Sequence, residues 1–164
     1  MRLHWHRRDL RGPDNTAIAW AADRVEEGLA DRPDDRGAFD FAAYASVSVA
    51  ADGAAARAAA RPPVAFIAAG AADPLLDRHD LDADVAAVIG EHVEAGRFEA
   101  AFEAVTHAMV DAFSIAGTPA TVGDRVAAVL EHADSLVVGA PLGPDLASAI
   151  GLAGSVLRES VPRR

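Results

Sequence analysis

Apolar and polar positions along this chain switch between two periods, one of two residues and one of about 3.6. Alternation over residues 2–6 predicts a half-buried strand. Ile18, Ala21, Ala22, Val25 and Leu29 then share one face of a helix that Asp14 or Asn15 would cap. A polar break follows over residues 31–37. Residues 41–49 predict a strand, with Val47 and Val49 on one side and Ser46 and Ser48 on the other. Asp52 is placed to cap an Ala-rich helix over 53–60, which Pro62 and Pro63 should interrupt before a second helical piece over 64–69. Two helices come next. Over 82–95, Val85, Val88, Ile89, His92 and Val93 share a face, and Gly96 supplies the stop. Over 97–109 the face is Phe98, Ala101, Phe102 and Val105.

The remaining chain reads as one motif written twice. Asp111-Ala112-Phe113-Ser114-Ile115-Ala116-Gly117-Thr118-Pro119 is a short apolar strand, a small-residue turn and a helix start. Thr118 serves as N-cap with Pro119 in the first turn, and Val122, Val126, Val129 and Leu130 form the inward stripe. Gly123 weakens that helix by about 1 kcal/mol relative to Ala. The echo is 136–145, with Asp145 opening a last helix whose face is Leu146, Ala149, Ile150, Ala153 and Leu157. The order β-α-β-α-α-α-β-α-β-α predicts an α/β fold with about four parallel strands, because parallel strands need long crossovers. Four strands are too few for a closed eight-stranded barrel, so the sheet is expected to be open, partial or completed by another chain.

Composition narrows the function classes. The chain has 164 residues, enough for one domain, and is half apolar. It has no Cys, which removes disulfides and thiolate chemistry. No apolar run reaches the ~20 residues that span a bilayer, and the start lacks a secretory core, so a cytoplasmic protein with no membrane partner is expected. All 15 basic residues are Arg, set against 25 acidic ones for a net charge of −10. That surface repels nucleic acid, and it suits a cytoplasm of high salt, with the composition bias of a GC-rich genome as the alternative.

Over roughly 125 residues from Phe39 onward, several stretches keep one family's order. They are Ser46-Val47-Ser48-Val49, Val64-Ala65-Phe66-Ile67, Asp77-Arg78-His79, residues 109–119 and residues 139–145. The chain here resembles the C-terminal part of the luciferase-like, deazaflavin-dependent oxidoreductases, in particular methylene-tetrahydromethanopterin reductase and its haloarchaeal relatives. The resemblance implies a partial TIM-barrel-like (βα) repeat, coenzyme F420 as cofactor with FMN as the alternative, and hydride transfer to a small-molecule substrate. It also implies that the first half of the barrel is missing and that turnover by this chain alone is low. Trp5-His6-Arg7-Arg8-Asp9-Leu10-Arg11-Gly12-Pro13-Asp14-Asn15 resembles something else, the opening of DNA photolyases and cryptochromes. On this reading residues 1–30 are a photolyase-like strand and helix, 31–38 a linker, and 39–164 the barrel part. The alternatives are a non-catalytic fragment or interaction protein, able to form a homo-oligomer through open sheet edges, and a remnant of a photolyase antenna domain.

Candidate site residues follow from the two turns. The resemblance makes Gly117, Thr118, Gly139 and Gly143 the expected cofactor-binding positions, holding anionic groups on backbone N–H donors. The alternative for both turns is ordinary helix capping, which Asp145 favours because it would repel an anion. No catalytic residue is assigned. His4 and His6 share a strand face but lack a third ligand, so no metal site is expected. His79 is read as part of a polar loop, His92 as a core histidine, and His107 and His132 as helix-end residues. No HExxH, GxSxG, P-loop or GxGxxG pattern occurs.

Overall fold

The computed structural model describes residues 16–33 and 36–160. The predicted strand over 2–6, His4, His6 and the photolyase-like stretch up to Asn15 lie outside the described residues. Eight helices and three strands are described: α1 (Thr16–Ala30), β1 (Ala42–Val49), α2 (Gly53–Ala69), α3 (Asp73–Arg78), α4 (Ala83–Glu94), α5 (Phe98–Ala104), α6 (His107–Phe113), β2 (Ile115–Gly117), α7 (Pro119–Leu130), β3 (Ser135–Leu142) and α8 (Leu146–Ser160).

The strands form one open parallel sheet in the order β2-β1-β3. β1 therefore lies in the centre and is buried from Ala45 to Val49 on both faces, as its unbroken small and branched residues require. β1 and β3 are each eight residues long and pair from Ala42 and Ser135 onward. Their start is pinned by Asp134 N–H donating to the Phe41 carbonyl (2.9 Å) and Phe41 N–H donating to the Asp134 carboxylate (3.1 Å). The expectation of an open α/β sheet built from parallel βα units holds. Its strand order is not chain order, because the chain crosses β1 on its way from β2 to β3.

Two cores lie on the two faces. On one, Ala43, Ala45, Val47, Val49 and Ile115 meet Val122, Val126 and Val129 of α7 and Ala149, Ala153 and Val156 of α8. On the other, Ala60, Val64, Ala65 and Ala68 of α2 pack with α3 to α6 around Met109, Val110 and Phe113. The chain leaves β1 for the α2 side and leaves β3 for the α8 side.

Several local expectations are corrected. α2 runs unbroken through Pro62 and Pro63. Its buried face, Ala56, Ala60, Val64, Ala65 and Ala68, continues across the prolines, so packing outweighs the missing N–H donors. The single helix expected over 97–109 is two. Val105 is extended, and the Thr106 hydroxyl caps α6 by accepting from Met109 N–H (3.2 Å). Residues 111–113, expected to be strand, complete α6, so β2 is only Ile115–Gly117. The Asp77-Arg78 part of the expected loop is the end of α3, and His79 is buried with its ring edge-on to Phe113. Val88, Phe98, Leu146 and Ile150, expected to face inward, are exposed.

Candidate functional site

The carboxyl ends of three parallel strands and the N-termini of three helices meet along one edge of the sheet. Asp52 caps α2, accepting from Ala54 N–H at 2.9 Å. Thr118 caps α7, with Oγ1 accepting from Thr121 N–H at 3.4 Å and lying 3.1 Å from the Thr121 hydroxyl. Asp145 stands before α8 and accepts from Ser148 N–H at 2.9 Å. Hydrogen bonds from the Ser148 hydroxyl and N–H hold the Asp145 carboxyl below the usual carboxylate range. Two of the three helix starts thus carry a carboxylate. Thr118 is the uncharged one.

Small residues let these ends approach closely. Ala50 N–H donates to the Gly117 carbonyl (3.2 Å), tying the end of β1 to the end of β2. A Cβ on Gly53 would lie 3.3 Å from Thr118 Cγ2, so α2 begins directly against the β2–α7 turn. A Cβ on Gly143 would lie 2.6 Å from the Val49 carbonyl oxygen and 2.7 Å from Ala149 Cβ. Only a glycine lets the β3–α8 turn come that near β1. β3 reaches this edge with one extra residue between Gly139 and Leu142, opposite Ser46 to Ser48, a bulge that bends its end.

Of the four positions expected to bind cofactor, Gly117, Thr118 and Gly143 come together at this edge. Gly139 does not: it pairs with Ser46 inside the β1–β3 ladder, where a Cβ would land on the Tyr44 hydroxyl. The inward hydroxyl of Ser48 donates to the Ala56 carbonyl (2.6 Å), bonding β1 to α2 below the edge.

A second polar cluster, which sequence reading missed, lies on Asp111. Arg57 of α2 binds its carboxylate in bidentate fashion (2.6 and 3.0 Å) and also reaches the His107 carbonyl at 3.2 Å. Arg125 of α7 donates to the Asp111 carbonyl at 2.6 Å. Burial alone would raise the Asp111 carboxyl. The hydrogen bonds and charge of Arg57, with Arg125 and His107 adding, hold it below the usual range instead. The Asp111 hydrogen bond also raises Arg57, whereas burial lowers Arg125. The cluster joins helices from both faces of the sheet. Only Asp111 stood inside a stretch that sequence had singled out; Arg57 is 54 residues away.

His92 is half-buried and accepts from Arg97 Nε at 3.0 Å, and His107 starts α6. Among the described residues no three His, Asp or Glu side chains group as metal ligands do, and no helix is long and apolar enough to cross a membrane.

Residues 10–134 match the model of the luciferase-like monooxygenase family. The chain belongs to that family. The match starts well before Phe39 and overlaps the photolyase-like opening. Among related proteins, 5,10-methylenetetrahydromethanopterin reductase of Methanopyrus kandleri is 38% identical over 135 residues, 82% of this chain and 39% of the relative. The enzyme of the same name from Archaeoglobus fulgidus is 38% identical over 148 residues, covering 87% and 44%. The solved structure of the coenzyme F420 dependent tetrahydromethanopterin reductase from Methanopyrus kandleri superposes with a TM-score of 0.77 at 38% identity, over 87% of this chain and 41% of that one. This luciferase-like chain therefore spans about two fifths of the length of the relatives it matches.

Proposed function

We propose that these 164 residues carry the part of a coenzyme F420-dependent oxidoreductase that holds anionic groups of the cofactor at the carboxyl edge of the sheet. The observation that carries this reading is the start of α7, where an uncharged cap stands between two carboxylate-capped helices. An anion there meets the first-turn N–H of Ala120, the Thr118 hydroxyl and the positive end of a twelve-residue helix, while the Thr121 N–H is taken by the Thr118 cap. Pro119 has no N–H, so this first turn offers one donor fewer than a helix start without proline. Gly117 and Gly143 let the two turns pack closely, against Thr121 and against the Val49 carbonyl and Ala149, and Gly139 makes room for Tyr44. Small residues and backbone donors fit a phosphate or a carboxylate of a deazaflavin tail. The FMN phosphate is the alternative occupant.

When bound, the deazaflavin supplies the hydride, and the protein's part is binding and orientation. At the edge this chain offers caps and backbone donors, while Asp52 and Asp145 are committed to their helices. We therefore propose low turnover by these residues alone, whether they are a truncated or a hybrid member of the family. A cytoplasmic setting and a small-molecule substrate go with this reading, supported by the acidic composition and the relatives' names.

The test is a fluorescence titration with coenzyme F420 in parallel with FMN. Saturable F420 binding, weakened about tenfold or more by Thr118→Asp, is expected, since a carboxylate at the α7 cap repels an anion. Absence of binding by a protein whose circular dichroism shows it folded would overturn the reading. FMN binding with no response to F420 would reassign the cofactor.

A further inference from the structure

The stretch that joins α1 to the central strand turns back on the helix and leaves a cavity beside it. Arg32 N–H donates to the Leu29 carbonyl and Arg36 N–H to the Pro33 carbonyl, each at 3.1 Å. These two tight turns return the chain past α1 toward the start of β1. The cavity measures about 350 Å³, a size found among small-molecule sites, which run from roughly 300 to 1,000 Å³. Val25 and Leu29, four apart on α1, give it an apolar wall together with Phe39. Arg24, Arg32 and Arg36 line it as well. Such a lining departs from the rest of a chain whose net charge is −10. Asp23, Glu26, Glu27, Asp31 and Asp40 belong to the same stretch, yet no described carboxylate lines the cavity. Arg24 is tied to Glu27 at 2.6 Å. Arg32 lies over the Phe39 ring, 5.7 Å from its centroid, and Arg36 is exposed. Among the described residues neither Arg32 nor Arg36 has a carboxylate partner.

We propose that this cavity binds a small organic anion, one with a phosphate or carboxylate head and a flat apolar body. A guanidinium over an aromatic face keeps its N–H donors for an anion, which it can grip in bidentate fashion. Arg32 is therefore preset by Phe39 as one arm of a clamp. Arg36, brought to the same cavity by the turn from Pro33, is the other, and Arg24 adds a third positive charge. The wall of Val25, Leu29 and Phe39 selects against a bare inorganic ion, which would leave that apolar surface in water. Size selects a compact molecule over a polypeptide segment, since all of the described lining comes from residues 24–39 and the volume is that of a small ligand. The acidic surface elsewhere repels an anion, and that confines it to this place. Phe39 precedes β1, so the cavity lies at the amino end of the sheet, away from the edge that carries Thr118. The inference is independent of the cofactor.

Isothermal titration of the full chain with naphthyl phosphate and with naphthoate tests it, at a KCl concentration where circular dichroism shows the chain folded. Saturable binding is expected, about tenfold or more tighter for one or both anions than for naphthol or for inorganic phosphate. The anion that binds more tightly identifies the head group. Arg36→Gln, at an exposed turn, and Arg32→Gln should each weaken binding about tenfold. Arg158→Gln, on α8, should leave it unchanged. No binding of either anion by the folded chain overturns the proposal. So does naphthol bound as tightly as the anions, the result expected of an apolar groove that a further chain segment fills. An affinity indifferent to both Arg32→Gln and Arg36→Gln overturns it too.

Discussion

Asp111 holds two arginines, Arg57 of α2 and Arg125 of α7. Its side chain is about half exposed, so the ion pair with Arg57 is worth on the order of 1 kcal/mol or less after screening. Arg125 is more deeply set, with 15% of its side chain exposed, and keeps the Asp111 carbonyl as a neutral acceptor when the carboxylate is removed. Asp111→Asn should therefore lower stability modestly at neutral pH. The folded carboxyl titrates below its unfolded value of about 3.9, so its contribution is present above that pH and fades as pH falls through the folded value. Urea melts of wild type and variant should differ at pH 7 and converge as pH falls through the folded value. At the glycines, Gly143→Ala drives a methyl into the Val49 carbonyl, whereas at Gly139 the main obstacle is the movable end of Tyr44. Thermal melts should rank Gly143→Ala as the more damaging, by about 1–3 kcal/mol. Caps such as Asp52 and Thr118 were legible because capping is local. The Arg57–Asp111 pair was not, since no spacing rule links residues 54 apart.

At the scale of elements, α2 shows how far packing can override propensity. Pro62 and Pro63 sit in its interior and withhold two hydrogen bonds, yet its buried face runs straight past them. The cost is still present in the folded state. Pro62→Ala should raise stability by about 1–3 kcal/mol, read as a higher urea midpoint with unchanged slope. α5 and α6 teach the converse. Phe98, Ala101, Phe102 and Val105 keep one helical period, but Thr106 is a capping residue, and it starts a new helix. Thr106→Ala should cost about 1 kcal/mol by the same measurement. That break was readable from Thr106 and was hidden by a continuous apolar stripe. The exposure of Leu146 and Ile150 was not readable, because periodicity gives a helix an apolar face without saying how much of it is covered.

The whole molecule carries −10 on a small open α/β body, and self-repulsion opposes its folding. Salt should relieve it. Thermal midpoints are expected to rise with KCl until the Debye length falls to a few ångströms, near 1 M, and unfolding at low salt should reverse on adding it. A midpoint indifferent to salt would reduce the acidic excess to a matter of composition. Within this body α2 and α8 belong to two different apolar layers packed on neighbouring strands.

Sequence by itself determined most of the local pieces: where the main helices and the strands β1 and β3 lie, which caps start α2 and α7, and the family. Each depends on residues near one another in the chain, where period, capping and turn chemistry act. Tertiary structure decided what those pieces do together. It put β1 in the centre, carried α2 through its prolines, joined Arg57 and Arg125 at Asp111, and left Leu146 and Ile150 of α8 in solvent. Those outcomes depend on which distant surfaces meet, and burial against a partner element is a property of the pair that neither stretch encodes alone.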